Sequence, residues 1–374
     1  MQAPKNALEK SLSLAKANLG KSVIRINPQV LEESRNKAAD ALPFGLKNTV
    51  LPAGTPLDAV NKLRRHPDFL WLCVDKMADL GRSVDTDLVN PLTYRLMTGS
   101  TSGGCINILK GITSLCLGTD GGGSVLAPAL ASSLYSFMGQ GCGLVAGPVA
   151  GPVAGPNAQA SRSTDGLAFT PGLGVIAASF AVLRRAFAIL LDDSPVDDGD
   201  AIRLVIPAAG CLPLPGGGDA RQKLEPLLHT LPARFRVQEH AFSDPYDRSA
   251  TVSELQSIFA NGGADLILTH EGPVDVFGYD ETIPRAFTGA AVPHMTGQHG
   301  KALVKAANIA GCSAFTIPGP ELAAGCVITC RPGKGGAFKG FALAEHLAAH
   351  MPRPEMFERY FIRREKFVQE SDYL

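Results

Sequence analysis

Serine, threonine and glycine are concentrated in two short segments of this chain, GSTSGG at 99–104 and GTDGGGS at 118–124. Consecutive glycines ahead of Ser124 let several backbone N–H groups converge on the point where the serine hydroxyl lies. A nucleophile and a receptor for a developing oxyanion would then share one site. The pattern indicates acyl transfer, and the residues alone leave a simple turn or a phosphate-binding loop equally open.

The elements that must position these loops follow from the alternation of apolar and polar stretches. Amphipathic patterns predict helices over 5–19, 29–40, 58–65 and 177–191, and compact apolar runs predict strands over 69–74 and 203–207. Such alternation is typical of an α/β fold. We therefore predict a single domain over 1–374, in which a mixed, twisted β-sheet is covered by helices on both faces. Within it we distinguish N-terminal helices (1–40), a core containing both loops (42–176) and the remaining sheet and helices (177–374).

Composition excludes several classes of function. The 374 residues include 35 basic and 35 acidic side chains, so the chain has no excess of positive charge for binding nucleic acid or an anionic membrane. No apolar run is long enough to span a bilayer, and the N-terminus lacks a secretory signal, so we expect a cytoplasmic protein. All eight cysteines are expected to be reduced. The amphipathic segment 5–21 is expected to be a surface helix or to form a homodimer contact.

Other short motifs are better explained as chance matches. GLGVIA at 172–177 resembles a dinucleotide-binding turn, but Pro171 precedes it where that motif needs a strand. GKS at 20–22 lacks the earlier glycine of a phosphate-binding loop. His346 and His350 are one helical turn apart without a carboxylate partner. We therefore predict no metal site and no cofactor.

The two loops together resemble the signature of the amidase signature family, serine amidases whose hallmark is GGSSGG followed about two dozen residues later by GTDxGGSIRxPA. Here the second motif reads GTDGGGSVLAPA at 118–129. The segment 42–56, LPFGLKNTVLPAGTP, is similar to the family strand that carries a catalytic lysine. The resemblance covers most of the chain, is strong over 98–129 and is weaker elsewhere.

The resemblance implies a role for each matching residue. Ser124 corresponds to the nucleophile, Thr101 to the bridging serine that follows a cis peptide bond, and Lys47 to the base. Lys47 would have to be neutral to accept a proton. The resemblance further implies an oxyanion hole formed by the N–H groups of Gly121, Gly122, Gly123 and Ser124, and structural support from Asp120 and Ser102. The implied reaction is hydrolysis of a small carboxamide through an acyl-enzyme.

Departures from the family pattern keep alternatives open. Lys47 is followed by Asn48 where aspartate is usual, Lys76 is a rival base, and Leu126 replaces an arginine. Acyl transfer to an amine, or an inactive protein that serves as a binding scaffold, remains an alternative to hydrolysis. We expect the segments 145–176 and 270–300 to line a substrate pocket or, equally, to be folded loops; the second contains Phe277, Tyr279, Phe287, His294 and Met295.

Overall fold

The computed structural model describes residues 3–50, 58–146, 161–163, 165–192 and 199–365. The VAGP repeat at 145–156 lies mostly outside these residues. The strands of the described part are β1 (Val23–Ile26), β2 (Leu42–Lys47), β3 (Phe69–Asp75), β4 (Val84–Val89), β5 (Leu96–Thr98), β6 (Leu115–Asp120), β7 (Tyr135–Met138), β8 (Ser161–Arg162), β9 (Ala168–Phe169), β10 (Gly172–Ala177), β11 (Ile202–Pro207), β12 (Phe235–His240), β13 (Leu266–Glu271), β14 (Ser313–Pro318) and β15 (Gly325–Cys330).

Helices separate many of these strands along the chain. In the described ranges they are α1 (Ala3–Ala17), α2 (Val30–Glu33), α3 (Asp58–Arg65), α4 (Ser102–Leu109), α5 (Leu126–Ala131), α6 (Phe180–Leu191), α7 (Ala220–Leu228), α8 (Arg248–Ala260), α9 (Thr282–Arg285), α10 (Ala291–Thr296), α11 (Lys334–His350) and α12 (Glu355–Phe357).

Eleven strands form one mixed sheet in the order β1-β3-β2-β6-β10-β7-β14-β15-β13-β11-β12. The pairs β2–β3, β2–β6, β11–β12 and β11–β13 are parallel, and the other neighbours are antiparallel. Two short hairpin sheets, β4–β5 and β8–β9, lie outside it. The predicted mixed sheet is confirmed, and its large antiparallel part is the feature that the sequence pattern left open.

Both faces of the sheet are buried. This is seen from single strands, whose successive residues belong to different hydrophobic clusters. In β11, Leu204 and Ile206 pack with α6, α7 and α11, whereas Val205 packs with α8. In β10, Val175 and Ile176 divide in the same way, with Ile176 facing α4 and α5. Since strand side chains alternate between faces, helices cover the sheet on both sides, as predicted.

Two predicted elements need correction. The helix expected over 29–40 is a single turn, α2, followed by a short 3₁₀ turn at Ser34–Asn36. Its amphipathic pattern is real, but only Val30 of α2 is buried, so tertiary packing gives the segment little reason to extend. The helix expected over 177–191 begins later, at Phe180, because 172–177 is the buried strand β10. Ser179 caps this helix, and its side chain accepts a hydrogen bond from the Val182 N–H. That strand assignment also accounts for GLGVIA without a nucleotide.

All eight cysteines are free, and six of them are buried. The described residues contain no helix that is long and apolar enough to cross a bilayer. Within the same ranges, no three His, Cys, Asp or Glu side chains are grouped so that they could hold a metal ion.

Candidate active site

The two serine- and glycine-rich loops meet at one edge of the sheet. Strands β2 and β6 are parallel neighbours, with Leu46 paired to Leu117, so both end at this edge. Lys47 is the last residue of β2, and the loop carrying Ser124 follows β6 directly. The loop at 99–101 joins β5 to α4 on the same side. The topology thus brings together a lysine and two serine-bearing loops that are far apart in the sequence.

Lys47 is buried and donates hydrogen bonds from Nζ to Ser100 Oγ at 2.7 Å and to the Thr119 carbonyl oxygen at 2.9 Å. Burial disfavours the ammonium form and, against the opposing charge of Asp120, lowers the pKa of Lys47 from 10.5 to about 8. A substantial fraction of this amine is therefore neutral in mildly alkaline solution and able to accept a proton.

The rival lysine is placed differently. Lys76 Nζ lies 2.8 Å from Asp85 and 3.2 Å from Asp87, in an ion-paired arrangement. Partial burial works against its charge, but hydrogen bonds and charges from the two carboxylates outweigh that cost and raise the pKa of Lys76. Lys76 is held as a cation by these two carboxylates, whereas Lys47 contacts a serine hydroxyl, so Lys47 is the candidate base.

Ser100, and not Thr101, is the residue beside Lys47. The cis peptide bond is Gly99–Ser100, one position earlier than the resemblance implied. Ser100 lines the cavity over Ser124 as well as contacting Lys47, whereas the fully buried Thr101 is not among the residues that line it. The assignment of the bridging hydroxyl to Thr101 does not fit this geometry, because the hydroxyl that contacts Lys47 belongs to Ser100 and the Thr101 hydroxyl bonds to the Ser124 carbonyl oxygen.

Thr101 instead joins the two loops. Its hydroxyl donates to the Ser124 carbonyl oxygen at 2.6 Å, and its N–H donates to the same oxygen at 3.2 Å. A Cβ on Gly118 would lie 2.7 Å from the Thr101 hydroxyl, so this approach requires glycine at 118. Thr101 therefore fixes the backbone of Ser124.

Asp120 shapes the glycine loop from within. One carboxylate oxygen accepts from the N–H groups of Gly122 at 3.0 Å and Gly123 at 2.7 Å, and the other accepts from Val125 at 2.7 Å and Leu126 at 3.4 Å. Gly123 has φ +100°, which few other residues adopt. The loop is thus wrapped around a single buried carboxylate.

This bonding changes the expected oxyanion hole. Since the N–H groups of Gly122 and Gly123 already donate to Asp120, they are not free donors as the resemblance implied. The N–H groups of Gly121 and Ser124 are the two in the loop that Asp120 does not engage. They remain the candidates for receiving a negative oxygen.

Ser102 lies one step further from the site. Its hydroxyl donates to Asp85 at 2.5 Å, and Asp85 also holds Lys76. The contact ties the start of α4 to β4. Ser102 therefore supports the loop, and it touches neither Lys47 nor the cavity.

The cavity over Ser124 has a volume of about 370 Å³. The segment 145–176 contributes Phe169 and Pro171 to its lining, and the segment 270–300 contributes Asp280 and Glu281. The five aromatic, histidine and methionine residues singled out in that second segment do not line it. Sequence reasoning also missed Ser100 and Arg248, the latter because α8 is distant from both loops along the chain.

Several solved structures have the same fold. An amidase is 18% identical, with a TM-score of 0.60 over 93% of this chain and 96% of that one. A 6-aminohexanoate cyclic dimer hydrolase is 14% identical, with a TM-score of 0.62 over 94% and 95%. One component of the glutamyl-tRNA(Gln) amidotransferase of Thermotoga maritima is 16% identical, with a TM-score of 0.60 over 93% and 92%.

No protein-family model matches the sequence, and no curated protein matches it either. The structural likeness nevertheless extends over nearly the whole chain in each of these comparisons. The fold that the resemblance implied is therefore confirmed: this chain has the fold of the amidase signature enzymes.

Proposed function

We propose that this protein is a serine hydrolase of carboxamides that works through an acyl-enzyme on Ser124. The observation that carries the proposal is the hydrogen bond between the buried, partly neutral Lys47 and Ser100 at the edge of a cavity that Ser124 also lines. An amine in this environment can draw a proton from one hydroxyl through another.

In the first half of the reaction, Ser124 Oγ attacks the amide carbonyl carbon. Its proton passes to Ser100 Oγ, while the Ser100 proton passes to Lys47 Nζ. The carbonyl oxygen becomes an oxyanion, and the N–H groups of Gly121 and Ser124 stabilise it. A single such donor contributes roughly 2.7–4 kcal/mol to lowering the barrier.

Collapse of the tetrahedral intermediate breaks the C–N bond. The proton held by Lys47 returns through Ser100 to the leaving nitrogen, which departs as a neutral amine or ammonia. In the second half, water attacks the ester carbonyl and gives its proton to the same relay. The acid is released and Ser124 regains its hydrogen, so the relay ends each cycle unchanged.

Serine-directed labelling provides the test. A fluorophosphonate or sulfonyl fluoride is expected to add to Ser124, and the added mass on the peptide containing residue 124 can be measured by mass spectrometry. Ser124→Ala should lose labelling and ammonia release from a panel of primary amides. Ser253→Ala, an exposed serine of α8, is the matched control.

Equal labelling or ammonia release in wild type and Ser124→Ala would refute the assignment. A wild-type protein that neither labels nor releases ammonia would favour the binding-scaffold alternative. Adding hydroxylamine separates transfer from hydrolysis, because an acyl-enzyme that accepts amines yields a hydroxamate.

A further inference from the structure

The cavity over Ser124 is strongly cationic although the chain as a whole carries no net charge. Among the described residues, its lining includes six cationic side chains and three carboxylates. The excess is three positive charges, or two when Lys47 is neutral. The cationic residues are Lys47, Arg82, Arg162, Arg248, Arg285 and Lys301. Like charges confined to a concave surface attract anions into it.

Pairing within the protein does not cancel this excess. Asp280 has three cations around it: Arg285 at 2.6 Å, Arg248 at 3.5 Å and the neighbouring Lys305 at 3.8 Å. Although burial opposes ionisation, nearby positive charges, those of Lys305 and Lys301 foremost, hold the pKa of Asp280 well below its usual range. One carboxylate therefore serves several cations, and part of their charge is available to a further anion.

Arg82 and Lys301 are more fully neutralised. Arg82 forms an ion pair with Glu281 at 2.8 Å, and Lys301 forms one with the buried Asp275 at 2.8 Å. Both pairs line the cavity or adjoin it. Because each of them is paired with a carboxylate, Arg82 and Lys301 are weaker candidates than Arg248 for contact with a bound anion.

Arg248 lies against the glycine loop. One terminal nitrogen lies 3.9 Å from the position that a Cβ on Gly122 would occupy, two residues from Ser124. The guanidinium has five N–H donors. It contacts two carboxylates, that of Asp165 at 2.9 Å and that of Asp280 at 3.5 Å. Within the described ranges, its buried Nε has no hydrogen-bond partner.

The place of Arg248 in α8 is electrostatically unfavourable. It is the first residue of a 13-residue helix, where the helix dipole presents its positive end. The N-cap carboxylate of Asp247, which accepts from the Ala250 N–H at 2.7 Å, offsets part of this positive end. An anion bound beside Arg248 would be stabilised by the guanidinium and by the same helix end.

We infer that the amide hydrolysed at Ser124 carries a carboxylate close to the scissile carbonyl, and that Arg248 binds this carboxylate. This inference rests on the proposed function. The chemical class is a monoamide of a short dicarboxylic acid, because the distance from the guanidinium to the glycine loop leaves room for only a short spacer. Arg248 then determines specificity by orienting the acidic end while the carbonyl lies over Ser124.

The test compares two substrates of equal size. Succinic acid monoamide carries the carboxylate, and succinamide replaces it with a neutral amide. We expect the wild type to favour the monoamide in kcat/KM, and Arg248→Gln to reduce that preference by about 10- to 100-fold, which is typical of losing hydrogen bonds to a charged group. Arg248→Lys should recover part of the preference. Arg236→Gln, at an exposed position of the edge strand β12, removes the same charge far from the cavity and should retain it.

Binding provides a readout that does not depend on turnover. Calorimetry on Ser124→Ala should detect succinate, and the added Arg248→Gln change should weaken its binding by a similar factor, whereas Arg236→Gln should not. Succinate binding without amide hydrolysis by the wild type would leave the anion site standing and overturn the hydrolase. Hydrolysis with no preference for the monoamide, or a preference unaffected by Arg248→Gln, would overturn the anion site alone.

Discussion

The identity of the bridging hydroxyl can be decided by two substitutions at adjacent positions. Ser100→Ala removes the oxygen that contacts Lys47 Nζ at 2.7 Å and leaves the lysine its contact with the Thr119 carbonyl oxygen. Without a hydroxyl between the nucleophile and the base, proton transfer loses the group that carries it. Such transfers typically contribute 10²- to 10⁴-fold to a rate, so acylation should slow by about that factor.

Thr101→Val acts one residue away. It replaces the threonine hydroxyl with a methyl group and keeps the side-chain volume nearly unchanged. It breaks the 2.6 Å bond to the Ser124 carbonyl oxygen, which still accepts the Thr101 N–H. A single internal hydrogen bond contributes about 0.5–1.5 kcal/mol to stability. We therefore expect a loss of about 1 kcal/mol in the free energy of unfolding and a reduction in the acylation rate of less than about tenfold.

The assay follows both effects without knowledge of the natural substrate. The rate of labelling of Ser124 by a fluorophosphonate, read by intact mass, reports its nucleophilicity, and urea unfolding reports stability. We expect slow labelling with near-normal stability for Ser100→Ala, and near-normal labelling with reduced stability for Thr101→Val. If Thr101→Val abolished labelling in a folded protein while Ser100→Ala labelled normally, the relay would run through Thr101.

Three further results are expected. Because the pKa of Lys47 is lowered to about 8 by burial, the labelling rate should rise about tenfold per pH unit below pH 8 and level off above it; a rate unchanged between pH 6 and 9 would contradict a lysine base. Burial raises the pKa of Asp75 from 3.8 to about 7, so the folded protein keeps a proton that the unfolded chain loses, and the free energy of unfolding should fall as pH rises from about 4 to 7. Asp75→Asn should flatten that dependence in urea titrations, and an identical slope in the variant would assign it to other groups. Asp120→Ala should release four backbone N–H groups and destabilise the fold by several kcal/mol in the same titrations; a loss below about 0.5 kcal/mol would show that the loop keeps its shape without the carboxylate.

The fold was largely predictable because its signals are local and strong. Continuous apolar runs mark strands such as β3 and β11, and a run as short as FLWLCV at 69–74 is typical of a buried strand. The order of strands was not predictable. Antiparallel neighbours such as β10 and β7 are selected by packing across the whole sheet. A strand with a given apolar pattern can pair with its neighbour in the parallel or the antiparallel direction.

The predicted bridging hydroxyl is one residue away from the serine that contacts Lys47. Ser100, Thr101 and Ser102 offer three hydroxyls in succession, and counting back from the glycine pair at 103–104 selects the middle one. Which hydroxyl faces the lysine depends on backbone direction at the end of β5, which a motif does not encode. Three adjacent hydroxyls are themselves a sign that this segment can match the family motif at more than one position.

The hydrogen bonds within the glycine loop were not predicted for a related reason. A run of glycines indicates that backbone N–H groups are accessible, but it does not tell which of them a neighbouring carboxylate occupies. Asp120 takes the N–H groups of Gly122 and Gly123, and this follows only from where the loop turns. Arg248 was missed because its proximity to the loop comes from tertiary packing of α8.

Asp120 organises its loop through main-chain N–H groups, so its hydrogen bonds do not depend on the side chains of the residues that donate them. The carboxylate binds main-chain groups, which every residue except proline supplies whatever its side chain. Leu126 illustrates the point, since its N–H donates to Asp120 although its side chain differs from the arginine expected there. Val125 and Leu126 are fully buried and do not line the cavity, so apolar replacements of similar volume should keep this main-chain frame, with proline excluded.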